Sequence, residues 1–266
     1  MNQWRNTSKV IEWFKAIGNK QNHRFVQFDI VEFYPSISKE LLNKALEFAS
    51  SYTEITQQVT DIIHHSRASV LFTKKDVWIK KDGDLFDVTM GSFDGAEVCE
   101  VTGLYLFHQL KSKFPGIDMG LYRDDGLGRY ENLPGPASDK IRKEITKLFK
   151  DNGLQITINM NLNTVDFLDC TFDLGKDLYY PYRKENSSLL YINRDSSHPP
   201  NIKKQLPAMI EKRLSDLSSN QAVFERARPE YEKALQESGF RKELRYSTTP
   251  PPRRTRSRAI IWFNPP

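Results

Sequence analysis

The chain is poor in cysteine. Cys99 and Cys170 are its only two, far apart and without a CxxC pair. That excludes a disulfide-stapled scaffold and a cysteine-based zinc site, and it points to a reducing compartment. Histidine is sparse as well. Among His23, His64, His65, His108 and His198, none pairs with a second His or Cys at ligand spacing, so each reads as a packing or surface residue. Long apolar runs are missing. No stretch of about 18 apolar residues exists, which excludes a membrane-spanning helix and a membrane partner. Trp4, Arg5, Lys9, Glu12 and Lys15 interrupt any signal-peptide core. The expected location is intracellular, in nucleus or cytoplasm, and not secreted. Internal repeats are absent. Charge of either sign is also not in great excess: 39 basic against 34 acidic residues leave +5 and a pI near 9.0. That suits a polyanionic partner without demanding one.

What is present is enough for one large domain or two modest ones. The chain has 266 residues, 38% of them hydrophobic. A short helical pattern covers Val10–Ile17. Arg24–Ile30 then alternates, with Val26, Phe28 and Ile30 on one side and Phe25, Gln27 and Asp29 on the other. Ser38 can cap a helix from Lys39 to about Ser50, buried through Leu41, Leu42, Ala45, Leu46 and Ala49. Further helices are expected over Ile55–Val70, Gly91–Leu110 and Ser138–Asp151, the last stopped by Gly153. Lys81-Asp82-Gly83-Asp84 reads as a hairpin loop. Gly120–Tyr130 reads as two strands around an Asp124-Asp125-Gly126 turn. Strands are expected near Ile156, over Val165–Leu174 and over Leu189–Asn193. From His198-Pro199-Pro200 to about Gly239 the pattern is helical, with Pro207 and Pro229 expected to break it. From Arg241 the chain is low in complexity, and basic residues far outnumber the single acid Glu243 as far as Arg258. A disordered or polyproline-like basic arm is expected there. The order of elements implies an α+β domain followed by a helical module.

Three aspartates carry the chemical signal. Asp29 sits at the end of the first long strand. Asp124 and Asp125 sit at a tight turn far downstream. If those strands lie side by side, the three carboxylates converge, repel one another and require cations. Magnesium favours such oxygen ligands and leaves positions open for phosphates. Two metals about 4 Å apart can then clamp an in-line phosphoryl displacement. A lone strand-end Asp or a lone Asp-Asp-Gly is usually only a cap or a turn. The flanking residues separate the two readings.

Phe28-Asp29-Ile30-Val31-Glu32-Phe33-Tyr34-Pro35-Ser36-Ile37 resembles motif A of reverse transcriptases, and Tyr122-Arg123-Asp124-Asp125 resembles their YxDD motif C. Met90-Gly91-Ser92 resembles the opening of motif B. Val165-Asp166-Phe167-Leu168-Asp169 resembles the FLD strand of Penelope-like retroelements. Ser197-His198-Pro199-Pro200, with Lys203-Lys204 and Arg213-Leu214 downstream, resembles the start of their thumb. The segments stand in family order over about Phe25–Leu217.

The resemblance implies a right-hand polymerase palm, an antiparallel sheet with packed helices, followed by a helical thumb. It implies an RNA template, a DNA primer and dNTPs as partners, and two Mg²⁺ or Mn²⁺ ions as cofactors. Asp29, Asp124 and Asp125 would be catalytic and, with Ile30 beside them, would hold the metals. Tyr34, five residues after Asp29, takes the place of the aromatic gate that leaves no room for a 2′-hydroxyl. Phe33, Gly91 and Arg123 would meet substrate, Arg123 near primer phosphate or paired with Asp94 or Glu97. Lys203, Lys204, Lys212 and Arg213 would track nucleic-acid phosphates.

On this reading residues 1–24 are residual fingers, 25–196 the palm, 197–240 the thumb and 241–266 the basic tail. Two departures stand out. Asp94, Glu97 and Glu100 put three acids on the motif B helix, near where a triphosphate would bind. Only a short segment precedes Asp29, so a fingers region, and a C-terminal endonuclease such as Penelope-like proteins often carry, are expected to be missing. A catalytically inactive, truncated or host-repurposed nucleic-acid-binding remnant is therefore the competing expectation. An RNA-synthesising polymerase ranks behind both, because Tyr34 disfavours ribonucleotides.

Overall fold

The computed structural model describes residues 2–68, 70–79 and 85–247. The expected Lys81–Asp84 hairpin loop and the tail from Thr248 onward lie outside them. In chain order the elements are β1 (Asn2–Gln3), α1 (Thr7–Ala16), β2 (His23–Ile30), α2 (Phe33–Ser36), α3 (Lys39–Ser50), α4 (Gln57–His65), β3 (Leu71–Phe72), β4 (Val77–Trp78) and α5 (Gly95–Lys113). They continue with β5 (Asp118–Tyr122), β6 (Asp125–Glu131), α6 (Gly135–Asp151), β7 (Ile156–Leu162), β8 (Thr164–Phe167), β9 (Cys170–Asp173), β10 (Leu178–Pro181), α7 (Pro200–Asp216) and α8 (Gln221–Glu237). The described residues fall into two compact units, which divide between Lys184 and Glu185. No helix among the described residues is long and apolar enough to cross a membrane.

The first unit is α+β. Its main sheet has the order β1-β5-β6-β2-β7, antiparallel throughout except for the β1–β5 pair. One face of β2 carries Val26, Phe28 and Ile30 into the main core, where they meet Leu41 and Leu42 of α3, Leu106 and Leu110 of α5 and Phe149 of α6. Burying such side chains contributes about 1.5–3 kcal/mol each relative to exposure. The other face of β2 is also covered, but only along its first half. Phe25 is fully buried there, its ring 6.3 Å from that of Phe14 on α1. Phe14 in turn lies 5.2 Å from Phe172 of a second, antiparallel sheet of order β10-β9-β8. Every residue of β9, the middle strand of that sheet, is buried, including Cys170, Thr171 and Asp173, whereas the outer strand β8 leaves Thr164 and Asp166 exposed. Both cysteines are free and buried.

Several elements differ from the sequence expectation, each for a visible reason. The helix expected over Ile55–Val70 ends at His65, because the chain turns to carry Arg67 into the interior at 1% exposure. The Arg67 carbonyl there accepts from the Asp87 N–H at 2.8 Å. The helix expected from Gly91 begins at Gly95, after a turn in which Gly91 takes φ +88°. Only glycine adopts that conformation at little cost. The two strands near the Asp pair meet at Arg123 and Asp124, so Asp125 and Gly126 belong to β6 and not to the turn.

The second unit is built on α7 and α8. Its core holds Ile210, Leu214, Phe224, Tyr231, Leu235 and Leu244. Pro207 and Pro229 lie inside these helices and do not end them. The break falls after Leu217 instead, where the Asn220 side chain accepts from the Val223 N–H at 3.0 Å and starts α8. Leu189–Asn193 form no strand. Leu189 and Tyr191 pack against the helical core, and the Arg194 N–H donates to the Ser238 carbonyl at 2.9 Å. Residues 241–247 pack onto the same unit: Leu244 is fully buried, and Lys242 pairs with Glu211 at 3.0 Å.

Candidate functional site

Asp29 ends its strand face in the open. Along β2, Phe25 is sealed under α1, and Gln27 reaches across to the Asp166 carbonyl at 2.8 Å. Asp29 has no such cover and is exposed. The β2–β6 ladder sets Asp29 directly opposite Asp125, and the Ile30 N–H donates to the Asp124 carbonyl at 3.1 Å. The structure thus gathers Asp29, Ile30, Asp124 and Asp125 at one end of two paired strands. The pairing depends on Gly126. Phe28 is its cross-strand partner, and a methyl group at position 126 would overlap the Phe28 ring.

The two backbone corners at this end are both left-handed. Arg123 in the β5–β6 turn has φ +56°, and Glu32, just before α2, has φ +48°. Non-glycine residues in that region cost about 1–2 kcal/mol each. Such outliers persist only where surrounding structure holds them, and they concentrate at functional sites.

The carboxylates feel one another. Burial, then the charges of Asp124 and Asp29, push the Asp125 carboxyl up to about 6. Burial and Asp124 also raise Asp29. Lys184 acts against both shifts, so its charge is felt by both carboxylates. Hard oxygen donors that raise one another's charge cost, as at Asp29 and Asp125, fit a divalent cation in kind. Yet among the described residues no three His, Cys, Asp or Glu side chains are already gathered at metal-ligand spacing.

The remaining sequence-derived residues divide sharply. Tyr34 sits on the one-turn α2, half-buried, near enough to Arg123 and Asp124 to feel their charges. Phe33 is 2% exposed and belongs to the core, so only its backbone is available to a substrate. Arg123 is exposed and lies over the Tyr122 ring at 5.8 Å. It does not pair with Asp94. Arg67 does, from inside the fold, with its Nε and Nη1 left without a hydrogen-bond partner. In the second unit, Lys203 folds back onto the Ser196 carbonyl at 2.7 Å, and Lys212 pairs with Asp216 at 2.6 Å. At roughly 100° of helical turn per residue, Lys203 and Lys212 face opposite ways, as do Lys204 and Arg213. The four do not form one stripe.

Sequence reasoning passed over Arg67 and Lys184. No local signal marks them. Each becomes visible only when elements distant in sequence come together.

No family model matches the sequence, and no curated protein matches it. Solved structures do. The telomerase of Candida albicans, in complex with a fragment of telomeric RNA, aligns over 89% of this chain and 42% of its own, with a TM-score of 0.55 and 14% identity. The RNA-dependent RNA polymerase of a human picobirnavirus aligns over 86% and 45%, at 0.54 and 12%. The telomerase of Candida tropicalis aligns over 90% and 43%, at 0.52 and 13%. The chain therefore spans less than half the length of these proteins. Identity at this level speaks for the fold alone: an α+β, palm-like fold similar to that of these polymerases.

Proposed function

We propose that the chain is the palm and thumb portion of an RNA-directed DNA polymerase of the Penelope-like kind, which joins dNTPs to a primer 3′-hydroxyl on an RNA template. The observation that carries this reading is the pairing of Asp29 with Asp125 across β2 and β6, with Asp124 at the adjoining turn. Asp29, Asp124, Asp125 and the Ile30 backbone would hold two Mg²⁺ or Mn²⁺ ions. Bound there, the ions supply Lewis acidity that activates the 3′-hydroxyl and steadies the departing pyrophosphate. The chain's own part is positional. The β2–β6 ladder fixes two carboxylates across from each other, and the β5–β6 turn presents the third. Lys184 brings a positive charge that favours an approaching phosphate. Tyr34 stands over the sugar and leaves no room for a 2′-hydroxyl. The structural neighbours include telomerases and an RNA-dependent RNA polymerase, so the choice of deoxynucleotides rests on Tyr34.

The test is primer extension on a primed RNA template with dNTPs and Mg²⁺ or Mn²⁺. Extension that falls at least about 10³-fold in Asp124→Asn, with the fold intact, supports the reading. A folded Asp124→Asn protein with undiminished synthesis refutes the site.

A second reading, a nucleic-acid-binding remnant without turnover, draws on the absence of a ready-made metal cluster among the described residues. Primer–template binding without extension, in either metal, would establish it.

A further inference from the structure

Asp94 stands at the N-cap of α5, a helix of 19 residues, and does not cap it. Elsewhere in the chain the N-cap side chain accepts from the N–H of the third helical residue: Asn6 from Lys9, Ser38 from Leu41, Thr56 from Val59 and Asn220 from Val223. Aspartate caps as well as these residues do. The Asp94 carboxylate is drawn the other way. One oxygen pairs with the Arg67 guanidinium, which also donates to the Ser66 hydroxyl at 3.2 Å; that hydroxyl donates to the other oxygen at 3.4 Å. Arg67 is 1% exposed, and its Nε and Nη1 have no acceptor. A charge so buried is costly without its counterion, which makes the pair hard to open. Asp94 also ends a tight turn that begins at Thr89. The Ser92 N–H donates to the Thr89 carbonyl at 3.1 Å, and a Cβ on Gly95 would lie 2.8 Å from that carbonyl. At Gly91 the turn is open, because a Cβ there would meet nothing within 4 Å.

We infer that Arg67 is a positioning residue: by holding the Asp94 carboxylate it fixes the Gly91 turn and keeps an acid away from the phosphates of the incoming nucleotide. This rests on the reading of the chain as a polymerase whose Gly91 turn meets substrate. Asp94, Glu97 and Glu100 make the start of α5 acidic, which opposes a polyanion. Arg67 is too buried to touch a substrate itself. Its charge offsets Asp94 from inside the fold, and its grip leaves α5 without a side-chain cap. The positive end of the helix dipole therefore stays uncovered, which favours an approaching anion. A released Asp94 would swing onto the Glu97 N–H, cancel that end and add its own charge beside the open turn.

Two measurements test the inference, and the first needs no catalysis. It is amide hydrogen exchange at Glu97, the third residue of α5. Asp94→Ala should leave the Glu97 rate unchanged, whereas Ser38→Ala, which removes a cap that does accept, should speed exchange at Leu41 about fivefold. Arg67→Met should slow Glu97 about fivefold, as the released carboxylate takes the cap. Faster exchange at Glu97 in Asp94→Ala overturns the inference, even if Arg67→Met fails to fold. The second measurement is the KM for dNTP in primer extension at saturating metal. Arg67→Met should raise it about tenfold, with kcat changed by less than about twofold. Arg67→Met/Asp94→Asn, in which neither charge remains, should fold and bring KM back to its starting value. A folded double variant with KM still raised refutes the role, and so does an unchanged KM in Arg67→Met. Either result leaves the aspartate site standing. Undiminished synthesis in Asp124→Asn would instead remove the polymerase reading beneath the inference.

Discussion

The two ends of β2 use the same strand face in opposite ways. At one end Phe25 is sealed beneath α1; four residues on, Asp29 is open to solvent. The ladder to β6 runs unbroken between them, and only the pairing with β7 slips, between Phe25 and Gln27. Both pair with β6, Phe25 with Arg129 and Asp29 with Asp125. What changes is the cover. Helix α1 runs only from Thr7 to Ala16, and the second sheet reaches β2 at Gln27 through the Asp166 carbonyl. Beyond that point the face is bare. A reactive surface here is the part of a core strand that its covering layer fails to reach.

That contrast can be broken from either end. The largest effect on stability is expected at the closed end. Phe25→Ala should cost about 3–5 kcal/mol by denaturant titration, because it empties a site packed by Phe14 and Trp13. A cost below about 1 kcal/mol would show that α1 is not clamped on the sheet. Next comes Gly126→Ala, one pair in from the open end of the ladder. The methyl must displace the Phe28 ring, which should cost about 1–3 kcal/mol and separate Asp29 from Asp125. Unchanged stability and cation affinity would mean that the ring moves freely.

The smallest effect belongs to the open end. The Asp125 carboxyl is raised to about 6 in the folded chain, so its contribution to stability is present at acid pH and lost as pH rises through about 6. Discounted for its partial exposure, the loss is about 1–2 kcal/mol. Asp125→Asn should flatten this slope in the cation-free protein, and saturating Mn²⁺ should flatten it in the native chain. Thermal melts across pH 4–8 that show the same slope in both proteins would remove Asp125 from the cluster.

How far all this could be read beforehand depended on range. The alternation of Arg24–Ile30 is local, and it named both faces of β2. The amphipathic stripe of Lys39–Ser50 did the same for α3, with Ser38 accepting from the Leu41 N–H at 3.1 Å as its cap. The turn at the Asp pair was displaced by one residue for a reason that no local rule contains. Gly126 looks like a turn glycine, but it is small because an aromatic ring from another strand needs the space. Pro207 and Pro229 were expected to break a helix, and tertiary packing overrides them through Ile210, Leu214 and Phe224. Arg67 was invisible because its partner Asp94 lies beyond a hairpin in the chain. Lys184 was invisible because it reaches the aspartates only once the second sheet has formed. The candidate site was legible in its acids and in Arg123, and illegible in Arg67 and Lys184.

The overlap of Phe28 with Gly126 has one more implication. The two positions sit beside Asp29 and Asp125, far apart in the chain, yet they share a single volume. A side chain gained at position 126 must be matched by a ring moved or surrendered at position 28. Any lineage or library that puts a side chain at position 126 must therefore shrink position 28 with it.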